Sequence, residues 1–177
     1  MSPAQTLMTT QNSRARVGVS LLAVAAVLGL ACGGGGPGSP TTPGGTTIAA
    51  VEFESFRLAN AARRDSNVQP QLERVEAITK VARAHSQAMR DHGFFGHGGP
   101  NGGIGARLRA AGISFSSAGE NLAKLSSVSN PAGNAHAQFM DSSDHREVML
   151  DPRFRLAGVG VARSGDTYWL TQIYIRP

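Results

Sequence analysis

Tyr168-Trp169-Leu170-Thr171-Gln172-Ile173-Tyr174-Ile175 is the segment that most limits the fold. At strand spacing, Tyr168, Leu170 and Tyr174 share one face, and Trp169, Ile173 and Ile175 share the other. A strand apolar on both faces must be covered on both faces. Ser164-Gly165-Asp166 turns the chain before it, and Ala157 to Ala162 alternates small and branched residues. The tail therefore reads as a β-hairpin whose Gly158 and Gly160 let a neighbouring element come close.

The segments before the hairpin read as helical. Phe53 to Arg64 places Phe53, Phe56 and Asn60 at helical spacing. Gln69-Pro70 then breaks the chain. Val75, Ile78, Ala82, His85 and Met89 form one stripe of a second helix, ended by Gly93 with His92 in its last turn. Ile104 to Ala110 makes a short helix stopped by Gly112. Asn130-Pro131 starts another that runs to about Ser142. Asp144 to Leu150 follows, with Glu147 placed to complete a capping box and Pro152 as the stop. Helices first and a hairpin last predict an α+β fold, with the sheet sandwiched between helical layers.

The N-terminal part reads differently. Arg14 and Arg16 precede Val17 to Ala31, an uncharged apolar run too short to span a bilayer comfortably. Leu28-Gly29-Leu30-Ala31-Cys32 resembles a bacterial lipoprotein cleavage box, with Gly29 where Leu is usual. Residues 1–32 are predicted to be an export signal of lipoprotein type, with Cys32 acylated and inserted in a membrane. A plain signal-peptide residue and a free thiol are the other readings of Cys32. It is the only cysteine, so the chain has no intrachain disulfide. Gly33 to Thr47 is almost entirely Gly, Pro, Ser and Thr and reads as a flexible tether. It holds no Gly-Lys-Ser/Thr and is no phosphate loop. The folded region is then 48–177. The formal charge of +5 is spread without an aromatic-basic stripe, which argues against nucleic-acid binding.

The polar residues in unusual settings are candidates for function. His97 follows Phe94-Phe95, predicted to pack inward, and opens onto Gly98-Gly99-Pro100. Glu120, between Gly119 and Asn121 in a strand-like segment, needs a partner if buried. A structural ion pair and a functional carboxylate both satisfy that need. His145 stands in the first turn of a short helix. His85 on the apolar stripe reads as a satisfied core histidine, and His92 and His136 as structural. There is no His-Glu-x-x-His, no cysteine pair and no Gly-x-Ser-x-Gly. A Ser142/His145/Glu120 arrangement is imaginable without any orientation from the sequence.

In order, these pieces resemble the CAP superfamily, which comprises the cysteine-rich secretory, antigen 5 and pathogenesis-related proteins. Leu58 to Arg63 resembles its first-helix pattern. Ala84 to Met89 with Phe94-Phe95-Gly96-His97 resembles the segment that ends in its first cleft histidine. Ala118-Gly119-Glu120-Asn121-Leu122-Ala123 resembles its most recognisable motif. Phe139 to Ser142 with His145-Arg146 is similar to the bacterial form of the segment bearing the second histidine. The closing strands match as well. The resemblance covers Val51 to Ile175 and implies a three-layer α–β–α sandwich with a mainly antiparallel central sheet. It also implies a cleft of two histidines and two acids. His97, Glu120 and His145 match three positions, with Asn121 beside them; Ser142 stands where the second acid belongs, and Phe139 replaces the usual Trp.

The resulting expectation is a cell-envelope protein, membrane-anchored through Cys32, whose cleft binds a small ligand, a lipid or a divalent metal such as zinc. The metal ligands would be His97 and His145. A metal-assisted or serine-type hydrolase using the same cleft is the rival reading. A structural or adhesive domain with a vestigial cleft is the third.

Overall fold

The structure is a computed structural model and describes residues 46–177. The export signal, Cys32 and the tether up to residue 45 lie outside the described residues. Among the described residues no helix is long and apolar enough to cross a membrane.

The elements are α1 (Ile48–Asp65), β1 (Glu73–Arg74), α2 (Glu76–Asp91), α3 (Ile104–Ala110), β2 (Ser117–Ser126), α4 (Pro131–Asp141), α5 (Ser143–Leu150), β3 (Leu156–Ser164) and β4 (Thr167–Arg176). They form a four-stranded sheet in the order β1-β3-β4-β2. β4 pairs antiparallel with both β2 and β3, and only β1 runs parallel to its neighbour. The sheet is mainly antiparallel, as expected.

The two faces of β4 hold as read from the sequence. Tyr168, Leu170 and Tyr174 join one core with residues of α1, α4 and α5, including Val51, Phe139 and Met149. Ile173 and Ile175 join a second core with Ile78, Val81 and Ala82 of α2 and Leu108 of α3. Trp169 packs with Met89 and Leu122 on that same side. The result is an α–β–α sandwich. Gly160 explains the tight seat of α2: a Cβ there would lie 1.9 Å from the Arg83 backbone nitrogen. Gly158 meets the Thr79 nitrogen in the same way, so helix and strand touch backbone to backbone.

Three local expectations need correction. α1 begins at Ile48, capped by the Thr47 hydroxyl, so the helix starts five residues before Phe53, where the sequence reading began it. Its buried face is Val51, Glu52, Ser55, Ala59, Ala62 and Arg63, whereas Phe53 is 59% exposed. Phe56, by contrast, is partly buried and packs against the core as its spacing implies. The Glu147 capping box does not form: Ser142 ends α4 and starts α5, and its side chain makes no cap hydrogen bond. α4 behaves as expected, with the Asn130 side chain accepting from Gly133 N–H and Pro131 at its first position.

Two buried charges of α1 organise the rest. Arg63 is fully buried and donates to the carbonyls of Pro70, Met149, Asp151 and Phe154. It ties the end of α1 to the end of α5 and to the turn entering β3. Glu52 accepts from Arg83 of α2 at 2.7 and 2.9 Å and from the Val161 N–H of β3 at 3.1 Å. β1 reaches only as far as Ala157, so Glu52 covers an N–H on the open side of β3.

Candidate functional site

Glu120 lies on β2 opposite Ile173 and therefore faces the α2/α3 layer. Its side chain is 2% exposed, and its predicted need for a partner is met twice. His97 Nδ1 lies 2.9 Å from Oε2. Arg107 of α3, itself 5% exposed in its side chain, places Nη2 3.0 Å from each carboxylate oxygen and donates to Oε2. Oε1 meets that nitrogen as an ion pair without hydrogen-bond alignment. Arg107 also donates from Nη2 to the His97 carbonyl and from Nε to the Gly102 carbonyl. One guanidinium thus fixes the carboxylate and, at His97 itself and at Gly102, the loop that carries His97.

His97 itself is open, with 61% of its side chain exposed. A carboxylate only accepts, so Nδ1 carries the hydrogen, and in the neutral ring Nε2 is left as an acceptor. That tautomer presents Nε2 as a ligand atom, a base or a hydrogen-bond acceptor. The buried Glu120–Arg107 pair supplies the orientation.

The loop is held from below by His85. Its Nε2 lies 3.0 Å from the Gly96 carbonyl and must donate to it. Burial pushes the His85 pKa below its ordinary value, and the nearby Arg107 cation pushes it further down. The expected satisfied core histidine is thus present, and it positions the residue next to His97. Phe94 packs beside it, ring centroids 5.9 Å apart, and closes the Met89/Trp169 cluster. Phe95 does not turn inward as expected and is 51% exposed; of the pair, only Phe94 packs against that cluster.

Asn121 and His145 meet on the other face of β2. The Asn121 side chain is fully buried and donates from Nδ2 to the His145 carbonyl at 2.9 Å. The His145 ring packs edge-on to Phe139 at 5.4 Å. No hydrogen bond or ring contact joins His97 to His145. The Ser142/His145/Glu120 arrangement is not assembled, since Glu120 is engaged by His97 and Arg107. His136 is partly buried on α4, and burial lowers its pKa.

A divalent metal meets an incomplete donor set here. Glu120 is spent on Arg107 and on His97 Nδ1, which leaves the His97 Nε2 lone pair. Protein zinc sites take three or four protein ligands. Among the described residues no group of three or more His, Cys, Asp or Glu is placed to hold a metal ion.

The sequence reading missed Arg107. The signal was present: a carboxylate inside a strand calls for a cation, and α3 supplies Arg107 and Arg109 close before it. Helical phase separates the two, because Arg107 neighbours the buried Leu108 while Arg109 lies over Phe115 at the surface.

Known proteins share this arrangement of elements. An uncharacterized Bacillus subtilis protein, YkwD, is 35% identical over 136 residues, covering 76% of this chain and 51% of the relative. An uncharacterized membrane protein of the same organism, YlbC, is 32% identical over 106 residues, covering 59% of this chain and 29% of the relative. The chain thus spans about half the length of the first of these relatives and under a third of the second. Among solved structures, an extracellular protein containing a SCP domain from Bacillus anthracis aligns with a TM-score of 0.63 at 30% identity, covering 79% of this chain and 45% of that one. An outer surface protein from Borrelia burgdorferi shares the fold with a TM-score of 0.61 at 16% identity, covering 68% and 88%. The model of the cysteine-rich secretory protein family, CAP, matches residues 56–174. With the α–β–α sandwich in place and the family model matching across it, the chain belongs to the CAP family.

Proposed function

We propose that this CAP domain is an exported binding module, and that it holds a small ligand against the His97 imidazole. One observation carries the reading: an exposed ring is fixed through Nδ1 by a buried carboxylate, which directs Nε2 outward. A side chain kept for packing alone would not be 61% exposed and locked at once. The extracellular and outer surface proteins among the solved structures support export. Acylation of Cys32 then anchors the domain to a membrane. Replacing Cys32 with Ser moves the protein from the membrane fraction to the soluble one; unchanged fractionation removes the anchor from the proposal.

The ligand test is a library of glycans, peptides and lipids, screened by ligand-observed NMR against the full chain and its His97→Ala variant. Hits that vanish in the variant support the reading, and hits that bind both equally overturn it. Zinc calorimetry decides the metal version. With Glu120 engaged, no tight heat is expected. Tight binding lost in a His97→Ala/His145→Ala variant would make the cleft a metal site.

The hydrolase reading keeps one supporting observation, the imidazole–carboxylate pair, which is also how a general base is held. In that reading His97 Nε2 takes a proton from water. A peptide library incubated with the full chain, with and without chelator, tests it. Cleavage abolished by His97→Ala would replace the binding module with an enzyme.

A further inference from the structure

Beside the His97 site, α2 and α3 leave an open groove of about 520 Å³ between them. Its walls are Ala77, Val81 and Ala84 of α2 and Ala110 and Ala111 at the end of α3. Small-molecule sites have volumes of this order, about 300–1,000 Å³, and are mostly apolar with few polar groups. Two cations line this groove and no carboxylate does: Lys80 is exposed, and Arg107 is buried.

Arg107 carries the second observation. Its Nε and Nη2 are taken by Gly102, His97 and Glu120. Its Nη1 is buried and has no hydrogen-bond partner. A buried donor without an acceptor is costly, and a guanidinium pairs best with an oxyanion. Alanine walls suit a compact apolar body rather than a long chain.

We propose that the α2–α3 groove binds a small organic carboxylate, its apolar body on the alanine walls and its charge on Arg107 and Lys80. This goes beyond the His97 reading and does not depend on it. The ligand would share Arg107 with Glu120 and the His97 loop, so occupancy of the groove also reaches the loop.

Sodium benzoate, titrated into the ¹⁵N-labelled full chain, is the probe. Saturable amide shifts at Ala77, Ala84, Ala110 and Ala111 are expected. Benzamide lacks the charge and inorganic phosphate lacks the apolar body, so both should bind at least about tenfold more weakly. Lys80→Ala should weaken benzoate by about two- to fivefold, the usual weight of an exposed charge. Ala84→Phe fills the groove from an exposed position and should abolish the shifts while leaving the fold intact. Shifts that never saturate, that benzamide or phosphate reproduces, or that survive Ala84→Phe would overturn the proposal.

Discussion

Two arginines are buried in this domain, and they are held in opposite ways. Arg63 donates to four backbone carbonyls and hydrogen-bonds to no carboxylate. Arg107 faces a carboxylate, two carbonyls and a histidine-bearing loop. The first binds backbone to backbone, so it can only hold the fold together. The second neutralises an acid that in turn orients an exposed imidazole. A buried charge paired with carbonyls is architecture, whereas one paired with a carboxylate beside an open ring serves a site. The same residue type, equally hidden, thus separates the two ends of the molecule by its partners.

The largest effect should come from Arg63. Arg63→Ala strands four carbonyls and should cost roughly 3–5 kcal/mol or prevent folding, measured by urea denaturation. Arg63→Lys should recover little, because a point-like ammonium cannot span the fork of contacts. Full rescue by Lys would erase the distinction drawn here.

At the other end, Arg107→Met or Glu120→Leu alone leaves a buried partner unmatched and should also destabilise by a few kcal/mol. The double variant Arg107→Met/Glu120→Leu should be more stable than the sum of the two losses. No second substitution at a side chain can compensate Arg63 in that way. Additive losses in the double-mutant cycle would show that the pair does not act as a unit.

A moderate effect should appear with pH. Burial lowers the folded pKa of His85, so the unfolded chain binds the proton more readily. That contribution is complete above about pH 6.5 and is lost as pH falls below it. His136 adds the same sign from α4. Asp151, at the Arg63 end, has its pKa lowered chiefly by Arg153, so its contribution persists until the pH falls below about 4. Thermal midpoints should therefore begin to drop between pH 6.5 and 5. His85→Gln should flatten part of that slope. A flat profile through pH 5 would contradict the neutral, buried His85.

The smallest stability effect belongs to His97. His97→Ala should change stability by less than about 1 kcal/mol, since Glu120 keeps Arg107 and the ring is exposed. Ligand binding should nevertheless fail. A large loss of stability would recast the ring as part of the scaffold.

Much of this was legible in the residue pattern, but unevenly. β4 announced both layers because its two faces carry different apolar sets. α4 announced its start through Asn130-Pro131. β1 was invisible: Glu73 and Arg74 are exposed, and only backbone pairing with Leu156 and Ala157 defines them. α1 misled at Phe53, which is exposed although Phe56 packs against the core, while the buried face is carried by small residues such as Ser55 and Ala59. In the site, the spacing singled out His97 and Glu120 but not their contact. Arg107 and Arg63 escaped because nothing local tells a buried arginine from a surface one. The partners of Arg63 lie partly in α5 and the turn after it, far along the chain.

Glu52 has a consequence for how copies of this protein meet. Identical proteins collide through whatever surfaces they share, and an unpaired strand edge is a template that any such neighbour can extend. On β3 that template is interrupted. An incoming strand would find a carboxylate already on the Val161 N–H and the Arg83 guanidinium clasped to it. Adding a strand there would require stripping a buried ion pair first. The charge that fastens α1 to α2 thus also occupies the backbone position that an added strand would need.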